Sequence, residues 1–180
     1  YWRDWSSDVC SSDLWRNTIY SEVTEITNEN IRQIYDRAMG LLDGVDMVSM
    51  DLDGNDYWLL EKLDLSGVSV VVAEYNPLFG HKMSLTVEYE NRTRFERHHS
   101  GLLFGASLKA IVDLLADKGF NFIGTNRVGN NAFFVHHKLS RQVNIAEPKV
   151  SDYAKFVDWR CRESRNEMGQ LSYLTKEESI

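Results

Sequence analysis

The sequence predicts an α/β fold, built on a mainly parallel sheet that ends in an antiparallel hairpin. Three observations predict it. Apolar runs at Met47–Leu52 and Val68–Tyr75 alternate with helical patterns at Asn28–Met39, Tyr57–Leu63 and Leu108–Lys118. Such alternation builds parallel sheets with helices on both faces. Neither run alternates strictly between apolar and polar residues, as expected of strands covered on two sides. The last two runs, Phe120–Thr125 and Asn131–His136, are separated only by Asn126–Asn130, NRVGN, a turn short enough for an edge hairpin.

Each element has a local reason. Thr18–Val23 carries branched and aromatic residues and predicts a strand. Thr27 is a good N-cap, and Ile31, Ile34, Tyr35 and Ala38 follow it at helical spacing up to a stop near Gly40. Asp43-Gly44 is a turn. Asp56 caps the helix Tyr57–Leu63, and Asp64–Gly67 closes it. Val68–Tyr75, VSVVVAEY, is the clearest buried strand, because β-branched residues dominate it. Asn76–Ser100 breaks the pattern with polar and aromatic residues, a weak alternating strand at Leu85–Tyr89, the bases Arg92, Arg94 and Arg97, and the pair His98-His99. It reads as a long excursion over the strand tips, and long loops in compact domains usually serve function. Ser107 caps the next helix, which lays Leu108, Ile111, Val112 and Leu115 on one face and stops at Gly119. Ser151–Met168 predicts a charged helix with Tyr153, Phe156, Val157 and Cys161 on one side.

Composition sets the class. The chain has 180 residues, 43% hydrophobic and 26% charged, which suits one soluble domain with a sizeable core. A net charge of -7 argues against nucleic acid as a partner, because phosphate binding needs a basic face. No apolar run approaches the roughly 18–20 residues of a membrane span, and no charged-then-apolar leader points to secretion. Two cysteines without metal-type spacing suit a reducing cytoplasm. Arg3–Leu14, RDWSSDVCSSDL, looks like a sequencing adapter translated into protein. It is set aside from fold reasoning as an artefactual tail over residues 1–14. Residues 15–140 then form a partial domain and 141–180 a helical tail, with Cys161 as the one native cysteine.

The most informative stretch is Met47–Asp56, MVSMDLDGND. A short strand there ends in Asp51, Asp53, Asn55 and Asp56 around Gly54. Ionised carboxylates are costly to bury without partners, so the cluster is expected at a sheet edge facing solvent, a ligand or a cation. Ligands of open α/β sheets bind at the carboxyl ends of strands. The next strand ends similarly, in Glu74 and Asn76.

Several blocks carry a resemblance: ITNENI (Ile26–Ile31), MVSMDLDGNDYWLLEKL (Met47–Leu63), VVVAEYN (Val70–Asn76), LLFGASLKAIVDLLADKGF (Leu102–Phe120) and GNNAFFV (Gly129–Val135). In that order they resemble the C-terminal part of an FkbM-like S-adenosylmethionine-dependent methyltransferase over roughly Ile19–His137. The resemblance implies a Rossmann-like class I methyltransferase sheet whose N-terminal strands are missing and which ends in an antiparallel hairpin. It implies S-adenosylmethionine as the cofactor of the intact parent, and methyl transfer to oxygen on a small-molecule or glycan acceptor. The family's glycine-rich cofactor loop has no counterpart upstream of Asp51, where the first glycine is Gly40.

Asp51, Asp53, Glu74 and Asn76 are the candidate catalytic residues, with Asp51 and Asp53 also on the cofactor. A positioned carboxylate can take the proton that an acceptor hydroxyl sheds. The bland reading is that Asp53 and Asp56 cap turn and helix N–H groups, and for Asp56 it is preferred. The four strand-tip residues could instead hold Mg²⁺ or Ca²⁺ through oxygen, although no metal is assigned. His81, His98 and His99 are candidate bases, and Arg92, Arg94 and Arg97 candidate anion contacts; a solvated loop explains both sets as well. Ser107 with Gly105 reads as an N-cap, Asn126, Asn130 and Asn131 as turn residues, and Tyr57, Trp58, Trp159 and Cys161 as packing. The rival functions are a metal-dependent hydrolase or sugar-binding module using the same carboxylates, and a non-catalytic remnant.

Overall fold

The computed structural model describes residues 20–42, 44–143, 148–153 and 164–172. Four strands make one mixed sheet: β1 (Met47–Met50), β2 (Val70–Glu74), β3 (Phe120–Thr125) and β4 (Asn131–His136). Their spatial order is β1-β2-β4-β3. β1 and β2 pair in parallel, with Met50 beside Ala73, while β4 runs antiparallel to both β2 and β3. The last two strands do form a hairpin, with the expected bounds. It is not hung on the edge by its first strand, however. β4 folds back between β2 and β3, so only one of the three strand pairs is parallel. β1, β2 and β3 thus run in one direction and β4 alone against them, so the sheet is mixed, and what departs from expectation is the place of β4 inside it rather than at its edge.

The helices are α1 (Ile31–Leu41), α2 (Asp56–Lys62), α3 (Arg94–Arg97), α4 (Leu108–Asp117) and α5 (His137–Val143), with 3-10 turns at Pro77–Phe79 and Val150–Tyr153. The core joins Val71, Ala73, Ala132, Phe122 and Phe134 of the sheet to Leu59 and Leu60 of α2 and Leu108, Ile111 and Leu115 of α4. Val71 is paired with Phe134, and Ala73 with Ala132, so these side chains share one sheet face. Leu60, Ile111 and Leu115 are wholly excluded from water, each worth about 1.5–3 kcal/mol of burial. The opposite face is less covered: Val70, Val72, Phe133 and Ile123 are all half-buried. β1 has no strand on its outer side among the described residues, and Met47 at its start is 59% exposed.

Helix ends are satisfied by side chains. Lys118 Nζ donates to the carbonyls of Glu61 and Leu63 at 3.0 and 2.9 Å, and Arg32 Nε to that of Lys62 at 2.9 Å. Two cations thus meet the C-terminal carbonyls of α2, where the helix dipole favours positive charge. Burial holds the Lys118 ammonium below its ordinary range. α4 ends at Gly119 in the left-handed region, φ 90°, as its position after the last apolar residue predicts.

Other expectations shift or fail. Thr27 accepts from the Glu29 N–H at 3.3 Å, but helix α1 itself begins one turn later, at Ile31, and runs through Gly40. Tyr20–Val23 forms no strand: Val23 is fully exposed, and no strand pairs with it among the described residues. Thr18 and Ile19, the adapter-like Arg3–Leu14, and Asp43 lie outside the described residues. Leu85–Tyr89 makes one isolated bridge, Thr86 to Ala106, rather than a strand. The charged helix at Ser151–Met168 is not seen where the chain is described: residues 164–172 turn back on themselves through an Arg165–Leu171 bridge. Phe156, Val157, Trp159 and Cys161 lie outside the described residues.

Candidate functional site

The site grows from the turn after β1. Asp53 (φ 50°) and Gly54 (φ 115°) both take the left-handed region, which Asp tolerates and Gly adopts freely. The turn closes on Asp56, whose carboxylate accepts from the Leu52 N–H at 3.0 Å and the Gly54 N–H at 3.1 Å. Asp56 is 2% exposed. Burial pushes its carboxyl up to about 6, against the backbone donors that lower it and with the Asp51 charge adding to the rise. Asp56 is therefore the structural acid of the cluster and bonds the turn as expected, but it does not cap the helix: it is the first residue of α2, Asn55 holds the cap position, and no side-chain cap bond is made there.

Asp51 and Asp53 are exposed. Met50 pairs with Ala73, which carries Asp51 past the end of β1 level with Glu74 at the end of β2. Glu74 is buried and pairs across the sheet with Asn131. Asp53 lies 3.8 Å from Arg94 Nε. The Arg94 guanidinium also sits over the rings of Phe95 and Phe104, at 4.9 and 5.2 Å.

Asn76 has a different setting. It is fully buried. Its amide nitrogen donates to the carbonyls of Leu102 and Phe104 at 2.9 and 3.0 Å, and its amide oxygen accepts from the Leu78 N–H at 3.1 Å. The side chain faces protein, and its bonds tie the two ends of the excursion to the β2 tip. The structure thus brings Asp51 and Glu74 to one level, leaves Asp53 out on the turn, and folds Asn76 inward.

The excursion is strapped down along its length. Arg97 donates to the carbonyls of Glu88, Glu90 and Arg92 and to Asn55 Oδ1, the last at 2.8 Å. Asn55 Nδ2 donates to the Glu90 carbonyl and Trp58 Nε1 to that of Val87. Ser107 caps α4 through the Ala110 N–H. It also accepts from the Leu85 N–H at 3.1 Å and donates to the Met83 carbonyl at 2.9 Å. Arg97 and Ser107 are therefore tethers, and Arg92 pairs with Glu90.

Beyond the β2 tip lies an open groove of about 610 Å³, walled by Leu78, Met83, Leu85, Leu102 and Leu103. His81, Lys82 and His98 also line it. His99 stacks on His98 and lines a separate cavity with Phe95 and Arg165. The groove was not legible in the sequence, where its apolar residues are scattered over 26 positions of loop. A hint lay in Leu78, Met83, Leu85 and Leu103, apolar residues in a segment with no regular period. At the hairpin, Asn126 Oδ1 accepts from the N–H groups of Gly129, Asn130 and Asn131, so the asparagines there are turn residues, as expected.

Among the described residues, no group of three or more His, Cys, Asp or Glu is placed to hold a metal ion. Nor is any helix there long and apolar enough to cross a membrane. For S-adenosylmethionine the fit is partial. Asp51 offers an exposed carboxylate to hydroxyl or ammonium groups, and Asp53 one that already faces Arg94 at 3.8 Å, but no glycine-rich turn follows a strand upstream of them: Gly40 lies within α1, and Gly44 precedes β1. Comparison with protein-family models, with curated proteins and with solved structures finds no match.

Proposed function

We propose that this chain carries the acceptor side of an S-adenosylmethionine-dependent O-methyltransferase of FkbM-like type, acting on a small-molecule or glycan hydroxyl. The observation that carries the reading is the pair of neighbouring parallel strands, β1 and β2, whose carboxyl ends deliver Asp51 and Glu74 at one level. The antiparallel hairpin that ends the sheet agrees with a Rossmann-like class I arrangement. The cofactor would supply an electrophilic methyl group. Asp51, exposed at the strand end, receives the proton of the acceptor hydroxyl, and Asp53 orients the polar end of the cofactor. This chain supplies no glycine-rich turn after a strand upstream of Asp51, so the reading leaves that part of the pocket to the intact parent.

Calorimetry with S-adenosylhomocysteine tests this on two proteins: the 180-residue chain, and the same chain carrying the natural sequence that precedes Trp15 in its gene. The longer protein is expected to bind, and Asp51→Ala to weaken it about tenfold, or ~1.4 kcal/mol. The shorter one is expected to give little or no heat. No binding by the longer protein sinks the methyl-transfer reading. Micromolar binding by the shorter one sinks the division of the pocket.

The metal-dependent rival loses ground to the setting of Asn76, whose amide oxygen is taken by the Leu78 N–H. A Mg²⁺-dependent rise in melting temperature, lost in Asp53→Asn, would restore it.

A further inference from the structure

We propose that the groove beyond the β2 tip binds a small amphiphile with an apolar body and an anionic head group, a medium-chain carboxylate in its simplest form. Size comes first. At about 610 Å³ the groove falls within the range of small-molecule sites, ~300–1,000 Å³. Its walls come next. Leu78 and Leu102 are buried, whereas Met83 and Leu103 are 61% and 45% exposed. An apolar body laid between them would cover methyl and methylene surface that now faces water.

Charge selects the head group. The chain carries a net charge of -7, yet no described residue lining the groove is an acid, while Lys82, His81 and His98 are all at its surface. His98 Nδ1 is engaged by Ser100, 2.8 Å from its hydroxyl and 3.3 Å from its N–H, so a ligand would meet the opposite edge of the ring. Lys82 belongs to none of the ion pairs found among the described residues. A lysine cation beside an apolar slot, with imidazole edges next to it and no acid in the wall, complements an anion on an apolar stem.

The groove is also built rather than incidental. Asn76 bonds the Leu78 amide on one wall and the Leu102 carbonyl on the other, and Ser107 holds the Met83 and Leu85 backbone of a third. Naming the groove as the seat of the methyl acceptor rests on the methyl-transfer reading; its occupancy by an apolar anion does not.

The test is calorimetry of the 180-residue chain, without cofactor, using decanoate, 1-decanol and decyltrimethylammonium below their aggregation limits. Decanoate is expected to bind at least about tenfold more tightly than the other two. Lys82→Glu and Met83→Glu, both at exposed positions, are each expected to weaken decanoate by about tenfold while leaving the melting temperature unchanged. Lys138→Glu, on α5 and outside the groove, is expected to leave binding as it was. Equal affinity for the three probes, no decanoate binding, or equal weakening by Lys138→Glu overturns the proposal. Because no cofactor is present, such a failure leaves the S-adenosylhomocysteine result standing, and the reverse holds too.

Discussion

Gly54 and Gly105 pack backbone to backbone: a Cβ added at Gly54 would come within 2.9 Å of both the Gly105 nitrogen and the Phe104 Cβ. The acidic turn and the loop leading into α4 are therefore fitted to each other without side chains between them. Gly54→Ala is expected to cost about 2–4 kcal/mol, combining left-handed strain with overpacking against backbone that cannot yield. Gly44 supplies the control. It has the same sign of φ, 98°, but nothing within 4 Å of its added Cβ, so Gly44→Ala is expected to cost only about 1–2 kcal/mol. Denaturant midpoints of the two variants check the difference; equal losses would show that the close approach does not matter.

Asp56 predicts a pH dependence with a definite sign. Its folded-state pKa, about 6, lies above the ordinary aspartate value of 3.8. Above both values the carboxylate is charged in both states, and its burial then counts against folding. Below both it is neutral in both, and the penalty is gone. Stability contributed by this group thus falls as pH rises from about 4 to about 6, by up to ~3 kcal/mol. Asp56→Asn removes the titration. The unfolding free energy of the parent minus that of the variant is expected to decrease between pH 4 and pH 7, whatever its absolute offset. A difference that stays flat with pH contradicts the assignment.

Asn76→Ala leaves the Leu102 and Phe104 carbonyls and the Leu78 amide without their side-chain partner in a buried place. A loss of about 3 kcal/mol or more is expected. Asn76→Asp is expected to be at least as damaging, because it turns a carboxylate oxygen toward two carbonyls. Thermal melts measure both, and an Asp variant as stable as the parent would refute the clamp.

Arg97 holds three carbonyls and Asn55 with one planar group. Lysine cannot reproduce that fork. Arg97→Lys is expected to lose about 1–2 kcal/mol and to speed proteolytic cleavage between residues 88 and 97, with little change in the sheet. Amide exchange resolves the two regions; protection lost equally in β2 would mean global rather than local loosening.

Sequence pattern and structure agree best where the signal is local. β3 and β4 have the expected limits because Asn126 makes the turn by itself and β3 alternates buried and half-buried residues. α4 is bounded by Ser107 and Gly119 as their chemistry requires. Strand order was not local. Nothing in Asn131–His136 says that it pairs with β2 rather than standing outside β3. Thr18–Val23 has strand-forming residues, but over Tyr20–Val23 no neighbour pairs with it among the described residues, and propensity without a partner makes no sheet. Asn76 shows the ambiguity at the site. A polar residue after a strand tip looks the same in sequence whether it meets a ligand or ties down a loop 26 residues away. Arg97 and Ser107 posed the same problem, since most of their partners are backbone groups that carry no sequence signature.

The tethers of the excursion and the residues that face its groove are different sets. Asn76, Ser107, Arg97, Asn55 and Trp58 hold backbone; Leu78, Met83, Leu85 and Leu103 offer surface. Ligand preference can therefore drift by exchange of the second set while the first preserves the loop's path. A library randomised at Met83, Leu85 and Leu103 alone should yield folded proteins with altered selectivity. The excursion behaves as an interchangeable reading head on a fixed mount.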